Sequence, residues 1–193
     1  MQRERQPVAD RAELYVRSLL PEGYSQQQAA TLDRVDGLVE DGVVGERQVQ
    51  VCGHQVPASV AATRTAVGER LVTRLAAFQE WARRNDCSLA PAMELRTVDD
   101  SLADARYRAF RLPAVLLAEY RGGELRCVTP HHDGDAVHTV EARLDELAAG
   151  EPTTLEPLRR TTPLTPPSAM EFEPADAESE ESDTEERALL TQR

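Results

Sequence analysis

Between Pro130 and His138 the sequence reads PHHDGDAVH, three histidines and two aspartates within nine residues. Imidazole and carboxylate groups are the ligands of zinc and similar divalent metals, and Cys52 and His54 add a thiol and a further imidazole elsewhere. The spacing argues against a metal centre. No two histidines stand four apart on a helical pattern, and DGD is the composition of a turn, where short side chains bond their own backbone. The expected setting is a solvent-exposed loop, with His131, His132 and His138 as weak metal candidates and no metal assigned. Cys127 beside a histidine would make an activated thiol, but no third residue is placed to orient such a pair. Neither a Walker-type glycine-rich loop nor a serine nucleophile elbow occurs. These absences predict a non-enzymatic protein without catalytic residues or cofactor.

Composition narrows the setting. The 193 residues carry 34 acidic against 22 basic side chains, a net charge of −12, and every basic one is arginine; lysine and isoleucine are both absent. That usage fits translation from a GC-rich genome. Joined to the acidic excess, it predicts the protein of a halophile, kept hydrated by a dense negative surface. Cys52, Cys87 and Cys127 are odd in number and widely spaced, with no signal peptide ahead, so reduced thiols inside a cell are expected. No window approaches the roughly 18 apolar residues that a membrane span needs. A soluble, cytoplasmic protein without membrane contact is expected.

The elements that must position these residues follow from periodicity. LYVRSLL, residues 14–20, alternates as a strand does. QQQAATLDRVDGLVEDG puts Leu32, Val35, Leu38 and Val39 on one helical stripe and Gly42 where a left-handed cap would end it. RQVQVCG alternates again. A long helix is predicted over Thr65 to Asn85, with Val67, Leu71, Leu75, Phe78 and Ala82 as its stripe and Trp81 as its anchor. AMELRTV reads as an optional short strand. LPAVLLAEY is a continuous apolar run, the mark of a central strand buried on both faces, and Gly122–Gly123 turns it tightly into ELRCVTP. A last helix around TVEARLDELAAG carries Val140, Leu144 and Leu147.

The expected architecture is one α/β domain over residues 12–150, with a mixed sheet of four to five strands, between a flexible N-terminus (1–11) and a disordered tail (151–193). The tail holds 11 acidic and 4 basic side chains with many Pro, Ser and Thr residues, too little apolar surface to offset the entropy of ordering. MEFEP and the terminal ERALLTQR within it are candidate docking motifs for a protein partner.

Two resemblances follow. The order strand, helix, strand, helix, optional strand, strand, strand, helix resembles the thioredoxin-like fold over Glu13 to Gly150, most specifically at RLPAVLLAEYRGGELRCV. That resemblance implies a cis proline at Pro113. It departs where the family's Cys-x-x-Cys should stand, since the chain there reads LLPEGYSQQQ. A non-redox scaffold that binds a protein partner is what it implies. ATLDRVDGLVEDGVVGERQVQV, in turn, resembles the recognition helix and first wing strand of a winged helix-turn-helix. The ELYVRSL opening, the WA of the long helix and LPAVLLAEY resemble haloarchaeal proteins that carry a predicted helix-turn-helix domain, which implies DNA binding and a role in transcription regulation. Recognition helices lead with their N-termini, so Gln26, Gln27, Gln28, Thr31 and Arg34 are the candidate DNA-binding residues. Against this stand Asp33, Asp36, Glu40 and Asp41 on the same helix, because DNA affinity comes largely from neutralised phosphates. A two-helix motif also needs a helix at residues 14–20, where the alternation reads as strand. The charge and the alternation favour a helix packed on a sheet.

Overall fold

The alternating ADRAELYV forms the first strand, β1 (Ala9–Val16), in a computed structural model that describes residues 6–18, 26–59, 63, 65–100 and 105–159. Helix α1 (Gln26–Glu40) follows and ends before Gly42, whose φ of 69° supplies the left-handed stop. The chain then returns as β2 (Val44–Val51), parallel to β1. After the short β3 (Gln55–Pro57) comes α2 (Ala66–Arg84), capped by the Thr65 hydroxyl, which accepts from the Gly68 amide at 3.1 Å. Strands β4 (Glu94–Asp100), β5 (Ala105–Arg111), β6 (Val115–Arg121) and β7 (Glu124–Thr129) precede a small hairpin, β8 (His131–His132) and β9 (Val137–His138). Helix α3 (Val140–Ala148) closes the order.

Strands β2, β1, β6 and β7 form a mixed four-stranded sheet in that order, parallel at β1–β2 and antiparallel at the other two pairings. This matches the expected mixed sheet, and β6 is buried at its first six residues, as an apolar run at the sheet centre should be. Alternation along β1 sorts the core. Ala12, Leu14 and Val16 pack with Leu32, Val35 and Leu38 of α1 and with Val140, Leu144 and Leu147 of α3. Tyr15 turns to the other face, among Leu75, Phe78 and Trp81 of α2 and Phe110 of β5. Between Glu119 and Tyr120 the β6–β7 register shifts, leaving Arg126 as the extra residue on β7. Its carbonyl accepts the buried Trp81 indole N–H at 3.2 Å, so the residue that disrupts the ladder also anchors the long helix.

Several expectations are corrected. The first strand opens at Ala9 and not at Leu14, inside the stretch read as loose, while Leu19 and Leu20 lie outside the described residues. AMELRTV, an optional strand in the sequence, is a strand, but it pairs with β5, an unforeseen one, and with β3 these make a second antiparallel sheet, β3-β5-β4. β2 joins β1 in parallel and forms no wing hairpin. Val67 is 56% exposed and leaves the stripe of α2. The cis X-Pro bonds are Ala90–Pro91 and Thr129–Pro130; the bond before Pro113 is not among them. Residues 151–159 also belong to the packed body, since Leu158 is buried and exchanges backbone hydrogen bonds with Leu125 of β7 at 2.9 and 3.1 Å. The rest of the acidic segment, with MEFEP and ERALLTQR, lies outside the described residues.

One buried ion pair ties α3 to the sheet. Glu119 sits in the apolar run of β6 at 2% exposure, and Arg143 of α3 grips it with Nε and a terminal nitrogen at 2.7 and 2.9 Å. Burial disfavours the Arg143 charge, but the Glu119 and Glu146 contacts more than offset this and hold the guanidinium protonated. Removing either partner alone would strand the other charge in the core. Arg143→Ala or Glu119→Ala is therefore expected to cost about 3–5 kcal/mol in chemical denaturation, and the double replacement Glu119→Leu with Arg143→Leu to recover most of that loss.

Candidate nucleic-acid interface

Helix α1 carries the candidate DNA-binding residues, and its packing divides them. Its inner stripe, Leu32, Val35 and Leu38, lies on the sheet and α3. Gln28 is buried, with its amide nitrogen donating to the Ser18 carbonyl. Thr31 is also buried, and its hydroxyl donates to the Gln27 carbonyl at 2.9 Å. Neither can meet a base edge while the helix stays packed. Gln26 and Gln27 are exposed; Gln27 donates to Glu141 of α3 at 2.6 Å. Arg34 is exposed and pairs with Asp145 of α3. The open face of α1 is thus Gln26, Gln27, Ala30, Asp33 and Arg34, with Glu40 at its far end. Its polar side chains are partly held by the acidic residues of α3.

The segment before α1 is a strand through Val16, so residues 14–16 form no first helix of a two-helix motif; residues 19–25 lie outside the described residues. Among the described residues the helix beside α1 is α3.

Residues 4–152 match the protein family described as a helix-turn-helix domain. The chain belongs to that family. No curated protein and no solved structure matches it. Helix-turn-helix membership points to a DNA-binding regulatory role. Among the described residues no helix is long and apolar enough to cross a membrane.

In this helix-turn-helix protein the histidine-rich stretch is a hairpin whose His131 end packs against the core, while its tip, residues 133–137, is exposed as a loop would be. His131 is buried at 6% exposure, with Nδ1 2.7 Å from the Val128 carbonyl. His138 stacks on it, the ring centroids 4.5 Å apart, and holds Asp133 at 3.1 Å. Burial, with a smaller push from the neighbouring His138, leaves His131 below its ordinary pKa, against the opposing pull of the Val128 contact. His132 belongs to the same hairpin and is half-buried. Among the described residues no three His, Cys, Asp or Glu side chains are grouped to hold a metal ion. The turn reading of DGD stands in modified form: the Asp133 carboxylate accepts from the Asp135 and Ala136 amides at 3.3 and 3.0 Å.

The cysteines are placed for packing. Cys127 is buried, and burial pushes its thiol far above the usual range. Cys52 is pushed up to about 11 by burial. Cys87 is raised by burial and by Asp133 and Asp86. At pH 8 the Cys52 thiol, at about 11, is ionised to only about one part in a thousand. A colorimetric thiol assay at pH 8 should therefore show Cys52 reacting far more slowly than a free cysteine and Cys127 only on denaturation. Rapid labelling of Cys52 or Cys127 in the folded protein would contradict this placement.

The sequence pattern passed over Glu13, which is 2% exposed on β1. Tyr15 donates its hydroxyl to Glu13 at 2.7 Å, and the carboxylate meets Arg11 Nε at 3.0 Å and Arg74 of α2 at 3.3 Å. Both guanidinium groups also lie over the Tyr120 ring, at 4.5 and 5.2 Å. The available signal was a glutamate set between Ala12 and the apolar Leu14, Tyr15 and Val16.

Proposed function

We propose that the chain is a non-enzymatic regulator of transcription in a halophilic cell, and that it meets DNA through the exposed first turn of α1. The helix-turn-helix match over residues 4–152 carries this reading. Gln26 and Gln27 are exposed there, and amide side chains pair bidentately with adenine. Arg34, about two turns along the same face, would exchange Asp145 for a phosphate, while the positive end of the helix dipole favours a separate phosphate at the first turn. Of the acidic residues, Asp36, Glu40 and Asp41 stand two or more turns from Gln27, while Asp33, exposed beside Arg34, stands less than two turns away. In salt near 1 M, where charge is screened within about 3 Å, their repulsion of DNA is small.

A second reading, a non-redox thioredoxin-like module that binds a protein partner, is supported by the sheet order β2-β1-β6-β7 with its parallel β1–β2 start and closing α3. In it the acidic tail is a second contact.

Crosslinking in the native host, followed by sequencing of co-purified DNA, separates the two. Sharp peaks that share a sequence and fall at least tenfold in the triple variant Gln26→Ala, Gln27→Ala and Arg34→Ala are expected for DNA reading. Gln28 and Thr31 stay unchanged because they are buried. A flat profile from folded wild-type protein would sink the first reading and leave the second.

A further inference from the structure

The Glu13 cluster lies at the base of a cavity of about 230 Å³ between α2 and the sheet, with Glu13 and Tyr15 lining it from β1. One wall is α2, which contributes Val67, Arg70, Leu71 and Arg74; the other is β2, which contributes Gln48 and Gln50. We infer that this cavity binds a small organic acid, with its carboxylate on Arg70 and Arg74, a short apolar body against Val67 and Leu71, and its polar end on Gln48 and Gln50.

Three observations carry the inference. First, the lining holds one carboxylate against two guanidinium groups, a positive excess in a chain of net charge −12. Arg11, behind the lining, lies 3.0 Å from Glu13 and 3.9 Å from Glu46, so it leaves that excess in place. Second, the donors remain available. Arg74 spends one N–H on Tyr120 and one on Glu13, at 3.3 Å each, leaving three of the five that a guanidinium carries. Its side chain is 40% exposed. Arg70 is exposed and makes no ion pair or hydrogen bond among the described residues. Four residues apart, the two share one helix face, and Glu13 fixes Arg74 in place. Third, the spacing is amphipathic on the scale of a small molecule. Val67 and Leu71 repeat the interval of Arg70 and Arg74 one row away, and Val67 is 56% exposed, an apolar side chain left uncovered at the cavity mouth. Gln48 and Gln50 stand two apart on β2 and so point to one face.

The test is isothermal titration of the full chain, at the salt of its host, with butyrate, succinate and 2-oxoglutarate. Butyramide and succinamide serve as uncharged analogues and inorganic phosphate as an anion without a carbon body. Saturable binding of at least one of the acids, absent for the amides and weakened tenfold or more by Arg70→Gln, is expected. Arg83→Gln, on the same helix but outside the cavity, should bind as wild type does. Arg70 is exposed, so its replacement should leave the circular dichroism spectrum unchanged. Binding to none of the acids, equal binding of the amides, binding of phosphate alone, or affinity that survives Arg70→Gln would each overturn the assignment.

Discussion

Two carboxylates lie buried in this sheet, and each is met by an arginine from a helix outside it, Glu13 also by Arg11 and Tyr15 of its own strand. Glu119 on β6 and Glu13 on β1 stand on neighbouring central strands but point to opposite faces. Arg143 of α3 reaches the first, and Arg74 of α2 reaches the second. Apolar packing alone would let a helix slide along a sheet with modest loss, whereas a buried charge admits few positions of its partner. The two arginines thus fix α3 and α2 against the same sheet from opposite sides. The geometry of α1 depends on this as well, because its surface side chains Gln27 and Arg34 engage Glu141 and Asp145, which α3 carries.

Much of that frame was legible from residue pattern. The apolar run of β6, the Gly122–Gly123 hairpin, the stop of α1 at Gly42 and the stripe of α3 each rest on local rules that the tertiary structure did not override. What escaped was mostly long-range. β5 alternates poorly, since both Ala109 and Phe110 are buried, and it becomes a strand by pairing with β3 and β4 on either side. Leu158 looked like part of a polar tail because its neighbours are Pro, Glu and Arg; only the position of Leu125 on β7 gives it a place in the core. The helical period of α1 was clear, but the depth of Gln28 and Thr31 was not, because a polar side chain on the inner edge of a stripe looks the same in sequence as one on the outer edge.

The helix-turn-helix assignment and the packing of α1 describe different things. Family membership concerns the whole span 4–152, most of which is sheet and scaffold. The packing concerns which few side chains of one helix are free. With Gln28 and Thr31 inside, the outward amide side chains of α1 are those of its first turn, and further along Asp33 and Glu40 flank Arg34. Any DNA contact by this helix would be end-on, by a helix terminus raised on a sheet, and not along a full helical face.

The four-stranded sheet has two dissimilar borders. β7 is covered by the chain itself, where Leu158 lies against Leu125. Beyond β2 no strand pairs among the described residues, and that border is marked by Glu46, Arg47 and two glutamines. In dilute buffer such charges hold foreign strands away over a long distance; in concentrated salt that reach shrinks to about the length of one hydrogen bond. The remaining deterrent is the cost of stripping water from Glu46 and Arg47. Of this sheet's two borders only that at β2 is open among the described residues, and in concentrated salt the addition of a strand there would be set by hydration and not by repulsion.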